Sequence, residues 1–157
     1  MSIVDDDTRE ARTAAVRDLE TEFGLLLVQF RRRLAENAER LSPGMLPAAY
    51  KVFTTIVRAE SITLSALAEV LVADKGQISR SVSELERLGL VQRTTDPADR
   101  RSSLLSATPE GLDRLAAARA PQEKALVHAL EDWPVSDIRN LARLLHALTL
   151  GATPDSV

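Results

Sequence analysis

Residues 64–109, LSALAEVLVADKGQISRSVSELERLGLVQRTTDPADRRSSLLSATP, decide the fold. Leu64, Leu67, Ala68 and Leu71 recur at helical spacing behind Thr63, a good N-cap residue. After Val72-Ala73, Asp74 opens a second helix, with Gln77 three residues on in a capping-box arrangement. Ile78, Val82 and Leu85 form its buried face, and Gly89 falls where a left-handed terminating residue is wanted. Residues 90–95 and 102–107 then read as strands around the turn Asp96-Pro97-Ala98-Asp99. Helix, turn, helix and hairpin in that order describe a winged helix-turn-helix. A polar helix face beside a basic hairpin suits contact with duplex DNA.

Composition sets the bounds. At 157 residues, 45% hydrophobic and 27% charged, the chain is about one soluble domain long. Aromatics are only 3%, so the core is expected from Leu, Ala, Val and Ile on helices. No apolar run approaches the ~20 residues of a membrane span. The opening Asp5-Asp6-Asp7 has no secretory character, so a cytoplasmic protein without membrane contact is expected. The absence of cysteine excludes disulfides, thiolate zinc sites and thiol redox sensing. A formal net charge of −3 runs against DNA binding, but the charge is uneven. Residues 1–24 carry a net −4 and residues 75–101 a net +2. At cellular salt the local field matters more than the total, since charges beyond roughly 8–10 Å are screened.

Outward from the centre, Val16, Leu19, Phe23, Leu26, Leu27, Phe30 and Leu34 predict one long amphipathic helix over about 8–40. A helix over 47–59 carries Tyr50, Phe53, Ile56 and Val57 on one face. Thr108-Pro109-Glu110 starts a helix to about 131, with Pro121 expected to kink or interrupt it. Pro134 begins a last helix with a stripe of Ile138, Leu141, Leu144, Leu145 and Leu148, and Trp133 reads as its anchor. The expectation is a single 1–157 domain, mostly α with a small β-hairpin wing. Residues 47–107 are its DNA-binding module, and 8–40 and 109–150 its N- and C-terminal dimerisation helices. Such apolar terminal helices exceed what a monomer would cover, and a two-fold homodimer would bury them.

On a helical wheel, Gly76, Arg80, Ser83 and Arg87 lie opposite the apolar face of the helix begun by Asp74. Gly76 permits close approach, Arg80 can read guanine, and Gln77 can read adenine. Lys75 and Ser79 fit phosphate positioning. A plain solvated helix face is the ordinary alternative, and Gln77 also has a local capping role. At the hairpin tip, Arg100 and Arg101 are placed to enter a minor groove, with Asp99 able to orient a guanidinium.

The segments TLSALAEVL, DKGQISRSVSELERLGLV and DPADRRSSLLSATPEG resemble the MarR family of bacterial transcriptional regulators over residues ~20–115. The Asp-x-x-Asp-Arg-Arg wing and the following Thr-Pro-x-Gly helix start carry most of that resemblance. It implies a homodimeric repressor, occasionally an activator, of a palindromic operator. It also implies that Gly76, Gln77 and Arg80 meet the major groove, Arg100 the minor groove, and that Asp99 supports the wing. Many such proteins release DNA on binding a small phenolic anion. Here Phe30, Arg33, Tyr50 and Phe53 are the candidates to line an aromatic-acid site, each aromatic having core packing as its alternative.

No Gly-rich phosphate cradle, paired carboxylates or nucleophile–base constellation points to an enzyme, and no cofactor is expected. His128 and His146 make a poor basis for a metal site. The rival reading is a winged helix serving as a protein-interaction scaffold. Such a scaffold has no need of Arg100 and Arg101.

Overall fold

The computed structural model describes residues 3–97, 99 and 102–156. Its elements run α1 (Ile3–Leu41), α2 (Pro47–Ala59), β1 (Ile62–Thr63), α3 (Leu64–Leu71), α4 (Lys75–Arg87), β2 (Val91–Thr95), β3 (Ser103–Ala107), α5 (Pro109–Ala129) and α6 (Val135–Leu150). A 3-10 turn at Pro154–Ser156 follows. The chain forms two compact units, Met1–Ala118 and Arg119–Val157. The mostly helical winged fold expected from the sequence is the fold observed. α1 begins a turn earlier than its apolar period implied.

In the first unit the helix-turn-helix is built by local capping. Thr63 Oγ1 accepts from Ala66 N (3.2 Å) to start α3, and Asp74 Oδ1 accepts from Gln77 N (2.9 Å) to start α4. α3 ends in a paired-bond cap, with Ala73 N donating to Ala68 O and Val72 N to Glu69 O. The left-handed residue of that cap is Val72, at φ 50° and ψ 49°. The same cap closes α4, where Gly89 takes the left-handed position at φ 73°. A glycine there is unstrained, whereas valine costs about 1–2 kcal/mol. Val72 is also 93% exposed, so burial does not offset that cost.

The core of this unit centres on Phe53, Ile56, Leu67, Val82, Leu85, Leu90 and Leu105, all fully buried. Leu41 and Ala38 from α1 and Leu115 and Ala118 from α5 complete it. Each large member contributes about 1.5–3 kcal/mol by leaving water. The wing has three strands in the order β1-β3-β2, all antiparallel. The sequence reading contained only two. Ile62 and Thr63 pair with Leu105 and Leu104, adding a short strand on the far side of β3.

α5 starts where Thr108 Oγ1 accepts from Gly111 N (2.9 Å) and donates to Gly89 O (2.6 Å). It continues through Pro121 to Ala129, so of the kink or interruption expected there, the interruption does not occur. Proline removes one ladder bond, and the neighbouring Ala116, Ala117, Ala118 and Ala120 are the strongest helix formers available.

In the second unit, α6 ends at Gly151 with the same cap geometry as α3 and α4. Arg143 donates to Asn140 Oδ1 (3.0 Å) and to the Pro154 carbonyl, holding the terminal turn to the helix. Of the described α6 residues only Ala147 is buried; Leu141, Leu144, Leu145 and Leu148 are exposed. Trp133, read as an anchor, is 47% exposed, so it does not pack as a buried peg within this unit.

Candidate nucleic-acid interface

α4 buries Ile78, Val82 and Leu85 and turns Lys75, Gly76, Gln77, Arg80, Ser83 and Arg87 outward, with Ser79 half-buried. The helix is thereby fixed by one face and open on the other. Lys75 Nζ donates to Ser65 Oγ (2.9 Å), which joins the first turns of α3 and α4 and places the ammonium between them. A Cβ at Gly76 would meet only Asp74 Oδ1 at 3.1 Å and Arg80 Nη1 at 3.9 Å. The Arg80 guanidinium therefore lies back toward the bare backbone of Gly76. Arg80 makes no hydrogen bond or ion pair with any described residue, and neither does the Gln77 side chain. Only the backbone N–H of Gln77 serves the cap, which leaves its carboxamide available to a ligand.

Arg87, at the other end of the helix, is engaged. Its Nε and Nη2 fork the Glu84 carboxylate at 3.0 and 2.5 Å. That hydrogen bond holds the Glu84 carboxyl below the usual carboxylate range and the guanidinium above its own. The N-terminal half of α4 therefore carries its unpaired donors and the C-terminal half carries a closed ion pair.

β2 packs beside α4, and Arg93 Nε reaches Glu86 Oε1 (2.8 Å), tying wing to helix. At the tip, Asp96 N donates to Ser102 O (3.1 Å) and Ser102 N to Asp99 O (2.8 Å). Asp99 is exposed. Arg100 and Arg101 lie outside the described residues, so the support expected of Asp99 for them concerns atoms that are not described.

The four effector candidates separate. Tyr50 and Phe53 are core residues of α2; Arg33 is half-buried on α1, and Phe30 is 59% exposed. Tyr50 and Phe53 share the hydrophobic cluster, and Phe30 and Arg33 are not members of it.

The sequence reading missed Arg114 and the close seat of Gly111. Arg114 Nη2 donates to Leu41 O (2.6 Å) and Nη1 to Leu88 O (3.2 Å), with Glu110 Oε1 at 3.7 Å. A signal existed. Gly111, Arg114, Leu115 and Ala118 follow the i, i+3, i+4, i+7 rule, so a cation sits on a buried stripe.

A capped helix pair with an exposed second-helix N-terminus, followed by a sheet wing, defines a winged helix-turn-helix protein. Residues 44–102 match the model of the MarR family. Transcriptional regulator HosA of Escherichia coli O111:H- is 36% identical over 76 residues, 48% of this chain and 56% of that protein. The chain spans about half the length of the curated relatives it matches. Among solved structures, the MarR family transcription regulator SP03579 superposes with a TM-score of 0.74 at 22% identity, covering 90% of this chain and 93% of that one. A mutant MarR from E. coli complexed with operator DNA gives 0.57 at 25% identity, covering 82% and 91%. Over the helix-turn-helix and wing, residues 44–102, the chain is thus similar to the MarR family.

Proposed function

We propose that the protein is a homodimeric DNA-binding transcriptional regulator that represses transcription from a palindromic operator in the cytoplasm. The observation carrying this reading is the open N-terminal half of α4. There Gln77 and Arg80 have side chains without a partner among the described residues, over a glycine that keeps the backbone accessible. Gln77 and Arg80 would read base edges, Lys75 and Ser79 would meet phosphates, and Arg100 with Arg101 would follow a neighbouring groove. The operator complex of the E. coli relative supports the same use of this module.

Dimerisation rests on the apolar side chains that each unit leaves in water. On α1 these are Leu25, Leu26, Leu27, Val28 and Phe30; on α6 they are Leu141, Leu144, Leu145 and Leu148. A second copy would bury such faces and place two α4 helices about 34–36 Å apart, one turn of DNA. Release by a small aromatic acid rests on Phe30 and Arg33. Tyr50 and Phe53 offer a ligand no surface unless the core opens.

The test is duplex binding over a salt series. Log K should fall linearly with log salt, by about 0.9 per phosphate neutralised. A protein-interaction scaffold would bind duplex weakly and without preference among genomic fragments, and that outcome would refute the regulator reading.

A further inference from the structure

The start of α5 collects backbone carbonyls from two other helices. Leu88 O, Gly89 O and Leu90 O, three consecutive acceptors at the end of α4, receive bonds from Arg114 Nη1, Thr108 Oγ1 and Thr108 N. The other arm of Arg114 takes Leu41 O, the last carbonyl of α1, at 2.6 Å. Helix C-termini leave carbonyls without intrahelical partners and carry about half a negative charge. One guanidinium, 32% exposed, thus answers two helix ends at once with charge-assisted bonds. Lysine could reach one of them as a point charge but could not fork both.

We infer that Arg114 is a positioning residue that fixes the angle of α4 against α1. This rests on the dimeric DNA-binding reading above. With α1 in the dimer interface and α4 on DNA, the joint between them sets the separation of the two recognition helices. Arg114 itself touches no DNA. Its loss should relax the tolerated half-site spacing without changing how one half-site is read.

Arg114→Gln and Arg114→Lys in the full chain test this. Duplexes recovered from genomic selection would be rebuilt with half-sites at the natural separation, one base pair closer and one farther. The parent should lose tenfold or more at each altered spacing. Arg114→Gln should bind all three within about threefold of one another and an isolated half-site within twofold of the parent; Arg114→Lys should fall between. A spacing profile like the parent's would overturn the inference, as would an equal loss at every spacing and at the half-site. Hydrogen exchange without DNA gives an independent readout. In Arg114→Gln, peptides covering 37–42 and 84–90 should both exchange at least fivefold faster, with α2 unchanged. No change, or a change in one segment alone, would overturn it. A parent that binds no duplex would refute the functional reading, and the exchange result would still decide Arg114.

Discussion

Replacing Gly111 by alanine sets two ordinary expectations against each other. Helix propensity favours alanine over glycine by up to about 1 kcal/mol. Geometry opposes it. A Cβ at Gly111 would stand 2.5 Å from Leu90 O and 3.1 Å from Leu90 C and Cα, all backbone atoms that no rotamer change can clear. Reaching an ordinary carbon–oxygen contact of about 3.3 Å requires a shift of roughly 0.8 Å. Leu90 is fully buried and its carbonyl accepts from Thr108 N at 3.0 Å, so the shift also strains the start of α5. Overpacking of this kind costs about 1–3 kcal/mol, and a weakened hydrogen bond adds about 0.5–1.5. The net expectation is a loss of about 1–3 kcal/mol, or a Tm lower by roughly 3–10 °C for a chain of this length. Gly24→Ala is the control, because a Cβ there meets nothing within 4 Å of the protomer. It should gain about 0.5–1 kcal/mol. Thermal and urea unfolding at one fixed protomer concentration would read both. A Gly111→Ala protein as stable as the parent would show that the Gly111–Leu90 contact is not tight, and the reasoning would fail.

Val72→Gly should raise Tm by a few degrees, since relief of about 1–2 kcal/mol of left-handed strain exceeds the added backbone freedom of about 0.5–1; a lowered Tm in the same unfolding assay would contradict this. Leu27→Glu on the exposed face of α1 should shift the sedimenting species from dimer to monomer, and an unchanged dimer would remove that face from the interface. Arg80→Ala should cost roughly 1–3 kcal/mol at one operator base pair and relax preference there, whereas Arg100→Ala should weaken binding evenly across sequences. Titrating base-substituted operators separates the two, and parent-like binding by both variants would discard the assignment.

What the sequence revealed follows from how local each cause is. Thr63, Asp74 and Gly89 act within a turn of themselves, so the bounds of α3 and α4 could be read directly. β1 could not, because Ile62 and Thr63 become a strand only by meeting Leu104 and Leu105 some forty residues later. Val72 takes a conformation its own side chain disfavours, at the tight turn joining α3 to α4. The pattern of Tyr50 and Phe53 favoured a core over a ligand wall without deciding it, since periodicity identifies a buried face without saying what it meets. Pro121 illustrates the converse, a local helix-breaking signal that does not interrupt α5 among the alanines around it. The open donors of α4 were legible by type and face; that the Arg80 and Gln77 side chains have no partner among the described residues is visible only in the structure.

The sheet is three strands wide only at Leu104 and Leu105, where β1 and β2 flank β3 together. Outboard of that step, at the Thr95–Ser103 pair, β3 is paired with β2 alone among the described residues. Leu105, fully buried and paired on both sides, is consequently the root from which the wing is held.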